Sequence, residues 1–284
     1  MGVTAAEPSR PRRIAVAITT HTVDLGPHER VSLERVIEVL SPAHDLYLVV
    51  PAALDVTATL DRYPALRHLP MGDEFFGGRR AHNRLLLASS FYERFADYEF
   101  MMVHHLDAYV FRDDVDAWCD EGYDFLGAPW IPHDGMSLSG VGNGGLSLRR
   151  VASFLRVARM LEAPSTSAVG RLARRLPYRA RAALRIAVTP VAARIRGGQA
   201  RSEALLGYLN RGFDAGEDYF WGLRVAPWQP WFRVAPVHAA VQFAFDLEPA
   251  RLYEMNGRQL PMACHGWPAS LDFWREFIDV PAGA

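Results

Sequence analysis

The segment between Ile14 and Val50 constrains the fold most. IAVAITT (14–20) is an unbroken apolar, β-branched run, which reads as a strand buried on both faces. From Pro27 to Leu40 the apolar residues Val31, Leu33, Val36, Ile37 and Leu40 recur at near-helical spacing, and Ser41-Pro42 stops them. DLYLVV (45–50) is a second buried strand, closed by Pro51. Strand, helix and strand in this order form a βαβ unit, which implies a parallel sheet with helices on its faces. The fold class is α/β.

The pattern continues with a short strand near 66–70, a loop bearing Gly72, Gly77 and Gly78, and one helix expected from Asn83 to Phe95. EFMMVH (99–104) is a further strand, running out into His105-Leu106-Asp107. Ligands of open α/β sheets sit beyond the carboxyl ends of the strands, so Asp107 stands where a ligand-binding carboxylate belongs. YDFLGAPW (123–130) alternates and reads as an edge or antiparallel element. VGNGGLSLRR (141–150) is a Gly-rich turn entering a short strand, followed by a helix over 151–161.

Composition narrows the function. All 31 basic residues are arginine and the formal net charge is −1, so there is no global basic footprint for nucleic acid. The arginines concentrate between about 163 and 203, a stretch with no acid between Glu162 and Glu203 and with prolines at 177 and 190. This reads as an Arg-rich helical insertion in a single domain over 14–284, behind a flexible tail at 1–13. Apolar residues alternate with arginine over 165–201, a composition suited to peripheral contact with anionic lipid headgroups. The two cysteines, Cys119 and Cys264, lie far apart and form no Cys-x-x-Cys pair; two free thiols in a reducing cytoplasm are expected. The N-terminus carries no apolar secretion segment and no stretch approaches the length of a membrane span. The expected location is cytoplasmic, with contact at the inner membrane face through the insertion.

Several polar groups are placed for chemistry. Thr19, Thr20 and His21 close the first strand. Asn83 and Arg84 open a helix facing the same crevice, where the Arg84 guanidinium suits a phosphate. Gly142-Asn143-Gly144-Gly145 permits positive φ and close backbone approach to a ligand, and Asn-Gly is equally a signal for a tight hairpin. Glu217 and Asp218 open a short helix, where the dipole favours ionised carboxylates and where Asp is also a common cap. Trp130 and Trp221 suit either sugar stacking or the core.

HNRLLLASSFYERF (82–95), YEFMMVHHLDAYVFRDDVDAWCDEGYDFLGAPW (98–130), VGNGGLSLRR (141–150), GEDYFW (216–221) and LPMACHGW (260–267) occur here in a fixed order. In combination they resemble a bacterial family of glycosyltransferase-like proteins, known mainly as a domain of unknown function. The resemblance covers roughly 14–160 and 205–267. It implies a glycosyltransferase-A-like fold: a Rossmann-like mixed central sheet flanked by helices.

The resemblance also implies a nucleoside-diphosphate sugar donor and an acceptor that is a carbohydrate, a lipid-linked molecule or a small molecule. Such enzymes usually neutralise the diphosphate with Mn²⁺ or Mg²⁺ held by an Asp-x-Asp motif and completed by a late histidine. Here the motif reads His105-Leu106-Asp107, so the first carboxylate is replaced. The implied metal set is Asp107 and His265, with His105 assisting. Thr19, Thr20, His21, Asn83, Arg84, Asn143, Gly144 and Gly145 would face the donor. The Gly-Glu-Asp at 216–218 resembles that of β-1,4-galactosyltransferases, which makes Asp218 the base of an inverting transfer and Glu217 a holder of the acceptor. A retaining transferase and a non-catalytic nucleotide-sugar or carbohydrate-binding protein are the alternatives.

Overall fold

The computed structural model describes residues 12–131, 138–162 and 216–280. Its centre is a six-stranded mixed sheet in the order β3-β2-β1-β4-β7-β6. β1 (Arg12–Thr19), β2 (Asp45–Pro51), β3 (Leu66–Met71) and β4 (Tyr98–His105) are parallel. β7 (Leu146–Arg150) lies antiparallel beside β4, and β6 (Phe125–Gly127) antiparallel beside β7 at the edge. The expected mixed sheet flanked by helices is thus the observed architecture, with YDFLGAPW contributing the edge element.

Strand alternation sorts the core into two layers. Ile14, Val16, Ile18, Phe100 and Met102 pack on one face with Leu33, Val36 and Leu40 of α1 (Pro27–Leu40). Ala15, Ala17, Met101 and Val103 face the other way, onto Phe91, Tyr92, Phe95, Phe154 and Trp221. α1 begins where its sequence directs: Pro27 occupies the first turn, and the Glu29 carboxylate accepts a hydrogen bond from the Gly26 N–H at 2.7 Å. Its three fully buried aliphatics each contribute roughly 1.5–3 kcal/mol of burial free energy.

Two expectations need correction. β1 takes in Arg12 and Arg13, assigned above to the tail, because Arg12 pairs with Tyr98 of β4. α2 (Thr57–Arg62) precedes β3, and the helix expected over Asn83–Phe95 is two short ones, α3 (Arg79–Leu85) and α4 (Ser89–Glu93). The break has a physical cause. The Leu86 carbonyl, which an unbroken helix would give to its own ladder, accepts the Tyr92 hydroxyl at 2.6 Å and the Trp221 indole N–H at 3.2 Å. The region 163–203 and the membrane contact read over 165–201 lie outside the described residues. Among the described residues no helix is long and apolar enough to cross a membrane. Both cysteines are free and buried.

A second, three-stranded sheet sits beyond the end of β4: β5 (Tyr109–Val110), β9 (Ala263–Cys264) and β8 (Ala244–Phe245), in that order. Around it a third apolar cluster gathers Phe245, Leu252, Trp267, Trp274 and Ile278, so much of the aromatic C-terminal region is core.

Candidate active site

The main sheet and the small sheet meet at His105, the last residue of β4. Its N–H donates to the Gly145 carbonyl at 2.7 Å, which ties the strand end to the glycine turn. Asp107 follows, just ahead of β5. In the small sheet Phe245 is in register with Cys264, and Cys264 with Tyr109. The next residues along β8 and β9, Asp246 and His265, therefore emerge side by side, and the His265 N–H donates to the Phe245 carbonyl at 2.9 Å. Short strands thus bring Asp107, Asp246 and His265 together from three distant parts of the chain.

Ligand atoms of His105, Asp107 and His265 lie within 4.8 Å of one another, and no other group of this kind occurs among the described residues. Nε2 of His265 is 3.2 Å from Asp107 Oδ1, and its Nδ1 is 3.1 Å from Asp246 Oδ1. Burial alone would push His265 down, but the two carboxylates push it up to about 10. Burial likewise opposes the charge of Asp107, and His265 and His105 outweigh it, holding the carboxyl at about 2. His105 is held well below the ordinary histidine range by burial, with His82 and His265 beside it. His82 Nε2 sits 2.8 Å from His105 Nε2; burial and the Arg149 charge lower it to about 4. This leaves His105 Nδ1 on the side of the cluster.

The cluster fits a divalent cation. Two imidazoles and one carboxylate accommodate a first-row transition ion, Mn²⁺ included, more readily than Mg²⁺, which favours an all-oxygen shell. His265 Nε2 is buried with no hydrogen bond of good geometry, while Asp246 holds the opposite nitrogen, the usual arrangement behind a metal-binding imidazole. Ligation requires His265 to lose its proton.

The glycine turn joins this cluster to the acidic pair. Asn143 is left-handed at φ 84°, and its side-chain Oδ1 accepts the N–H groups of Gly145 and Leu146 at 2.9 and 3.0 Å. β6 ends at Gly127 and β7 begins at Leu146, so the turn is not a tight hairpin but an Asx turn launching β7. A Cβ on Gly145 would collide with His265 Nε2 and lie 2.8 Å from His105 Nδ1. A Cβ on Gly144 would strike Glu217 Oε1. The Asn143 N–H donates to Asp218 Oδ2 at 2.9 Å. Three consecutive residues therefore touch Asp218, Glu217 and the histidine cluster in turn.

Glu217 is sealed off. It is 1% exposed and paired with the wholly buried Arg149 at 2.9 Å. Arg149 also donates to the Tyr92 hydroxyl at 2.9 Å and to Ser147 Oγ at 3.0 Å. Burial raises the Glu217 carboxyl, and the neighbouring Arg149 opposes that rise.

The family model described as "Protein of unknown function (DUF5672)" matches residues 66–265. The chain belongs to the DUF5672 family. The matched span ends on His265 and contains His82, His105, Asp107, Gly145, Asp218 and Asp246; Thr19, Thr20 and His21 lie outside it. No curated protein sequence matches. Among solved structures, this DUF5672 chain is similar to a glycosyltransferase involved in glycosylation of the major capsid of PBCV-1. Identity there is 10% and the TM-score 0.47, over 89% of this chain and 92% of that one. It is also similar to the apo glycosyltransferase GlyE of Streptococcus pneumoniae TIGR4, at 10% identity and TM-score 0.46, over 89% of this chain and 54% of that one. Residues 1–349 of S. aureus TarS in complex with UDP-GlcNAc align at 15% identity and TM-score 0.31, over 49% of this chain and 46% of that one. The DUF5672 chain thus spans about half the length of the latter two.

The DUF5672 structure places the other expected residues unevenly. Thr19 and Thr20 are buried at the end of β1, where Thr20 Oγ1 donates to the Thr22 carbonyl; His21 is exposed. Asn83 is turned inward, its Oδ1 accepting the Glu217 N–H at 3.4 Å. The exposed Arg84 donates to the Glu74 carbonyl at 2.9 Å. Glu217, expected to hold the acceptor, has no surface to offer one. Trp221 is fully buried and belongs to the core rather than to a sugar site. His82, Arg149 and Asp246 also belong to the site, although none of them stands in a motif that marks it as functional. For Arg149 a signal existed: in LSLRR the alternation puts Ser147 and Arg149 on one face of a buried strand, which calls for an acid partner.

Proposed function

We propose that this protein transfers a sugar from a nucleoside-diphosphate sugar to an acceptor hydroxyl, with inversion. The observation that carries the reading is the Asn143-Gly144-Gly145 turn, which links a candidate cation cluster at the carboxyl end of a central strand to the carboxylate of Asp218. His105, Asp107 and His265 would hold a divalent cation, and such an ion, when bound, offsets the negative charge of a diphosphate leaving group. Asp246 and His82 orient the two imidazoles from behind.

Asp218 is the base. Its Oδ2 is fixed by the Asn143 N–H, which leaves the second oxygen to take a proton from the acceptor hydroxyl. Glu217 positions rather than reacts: its pairing with Arg149 anchors the start of the helix that carries Asp218. Gly144 and Gly145 leave room for Glu217 and for the histidines, and their backbone lines the floor on which the donor sugar would rest. Thr19, Thr20 and His21 would border the nucleoside and Arg84 the diphosphate.

The test is a donor panel. Purified protein is titrated with nucleoside diphosphates and their sugars in Mn²⁺, Mg²⁺ or EDTA, and transfer to simple sugars is followed by product analysis. Metal-dependent binding of one donor, lost in Asp107→Ala, and turnover lost with donor binding retained in Asp218→Asn, support the reading. Donor binding with equal turnover in Asp218→Asn would remove the base assignment. No donor binding under any condition would remove the transferase reading.

A further inference from the structure

Beside Asp218 the structure carries an exposed aromatic surface. Tyr219 and Trp130 stack with ring centroids 4.4 Å apart and planes inclined by 14°. Tyr219 is 45% exposed, and Leu223, one helical turn on, is 39% exposed. Exposed apolar side chains gathered into one surface mark a ligand-binding face more often than ones scattered singly.

The platform is built rather than incidental. Residues 128–130 and 139–142 pair as extended chain, through Trp130 N–H to the Gly140 carbonyl and Gly142 N–H to the Ala128 carbonyl, at 2.9 and 3.0 Å. Trp130 lies on this ladder and is received by three positions without side chains. A Cβ on Gly142 would collide with its ring, one on Gly222 would lie 2.9 Å from it, and one on Gly140 3.1 Å from it. With one face against these glycines, Trp130 presents the other to Tyr219, which keeps its own outer face in solvent. The same ladder runs on into Asn143, whose N–H holds Asp218. The stacked rings and the carboxylate are thus fixed by one continuous stretch of backbone. The local helix is wound wide over Trp221–Val225, a distortion that recurs at functional sites.

We infer that the outer face of Tyr219, backed by Trp130 and flanked by Leu223, binds the pyranose ring of the acceptor, a role that rests on the transferase reading, so that the acceptor is a carbohydrate. A pyranose offers an apolar face of C–H groups that matches a flat ring, while its hydroxyls project from the edge toward a neighbouring acid. Asp218, one residue away, is that acid. The three platform side chains, Tyr219, Trp130 and Leu223, carry no charge with which to hold a phosphate.

The experiment is saturation-transfer-difference NMR on the full chain with methyl β-glucopyranoside, methyl β-galactopyranoside and methyl N-acetyl-β-glucosaminide, with irradiation of aromatic protons. Nucleotide titrations are run on the same samples. Saturation should reach the C–H face of at least one pyranoside. Affinity should fall about tenfold in Tyr219→Ala and persist in Tyr219→Phe, which keeps the ring and loses only the hydroxyl. No transfer to any of the three sugars, or equal transfer in Tyr219→Ala, overturns the inference. So does displacement of the sugar by n-octanol with octanol bound more tightly, which would assign the surface to an acyl chain. Pyranoside binding through Tyr219 without nucleotide binding would support the platform as a carbohydrate site while removing the transferase reading.

Discussion

Gly145 lies against the Nε2 face of His265, leaving no space for even a methyl group between the glycine turn and the imidazole. The backbone at Gly145 is not left-handed, so alanine is conformationally acceptable there and the obstacle is purely one of volume.

This makes Gly145→Ala a probe of the cluster. The methyl group should displace His265 and lower Mn²⁺ affinity about 10- to 100-fold, the range seen when the support of a metal-binding imidazole is disturbed. Isothermal titration of protein stripped with EDTA measures it. An unchanged affinity would show that His265 is no ligand.

Asp246→Asn probes the same imidazole from behind. The amide oxygen can still accept the Nδ1–H, but the charge is gone. Mn²⁺ affinity should drop by about tenfold or more, with a melting temperature close to that of the parent. A variant that melts early yet binds metal normally would make Asp246 structural only.

The protonation of His265 sets the pH dependence of the metal-free protein. Its folded value is raised to about 10 from an ordinary 6.5, so the folded state favours the proton. The ion pairs with Asp107 and Asp246 therefore contribute fully below about pH 6.5, and their contribution is lost as pH rises toward 10. In EDTA, the melting-temperature gap between the parent and His265→Gln should shrink steadily over that window. Mn²⁺ affinity should move oppositely and rise with pH, because the metal displaces this proton. A constant gap would contradict the assignment.

The buried pair of Arg149 and Glu217 is a stability element. Arg149→Met leaves the Glu217 carboxyl in the core without its partner and should cost about 3–5 kcal/mol. Replacing both residues, as Arg149→Met with Glu217→Leu, should cost less than the sum of the single changes. Urea unfolding of the four proteins gives the coupling; additive losses would mean that the pair is not coupled.

The sequence made the parallel part of the sheet legible because β1, β2 and β4 each carry a long apolar run, and α1 was readable from Pro27 to Leu40 because both of its ends carry local signals. Asp107 could be placed for the same reason, at the exit of a recognisable strand. The break between α3 and α4 was not legible: it depends on Tyr92 and on Trp221, a residue far along the chain, both claiming the Leu86 carbonyl. Glu217 was misread because its environment is set by Arg149 on another strand, and no local pattern around GEDYFW encodes that partner. Asp246 escaped notice because it follows a two-residue strand whose existence depends on pairing with β9.

That small sheet has a consequence for how the site comes into being during synthesis. β4 and the His105–Asp107 segment leave the ribosome before β8 and β9, and the six-stranded sheet can begin to close on its own contacts. Asp246 and His265 are synthesised after all six strands of the main sheet, and their alignment depends on strands two residues long that have no partners until β5, β8 and β9 are all present. A nascent chain arrested before His265 would carry all six strands of the main sheet and only part of the cation cluster. Assembly of the complete cluster therefore follows synthesis of every strand of both sheets.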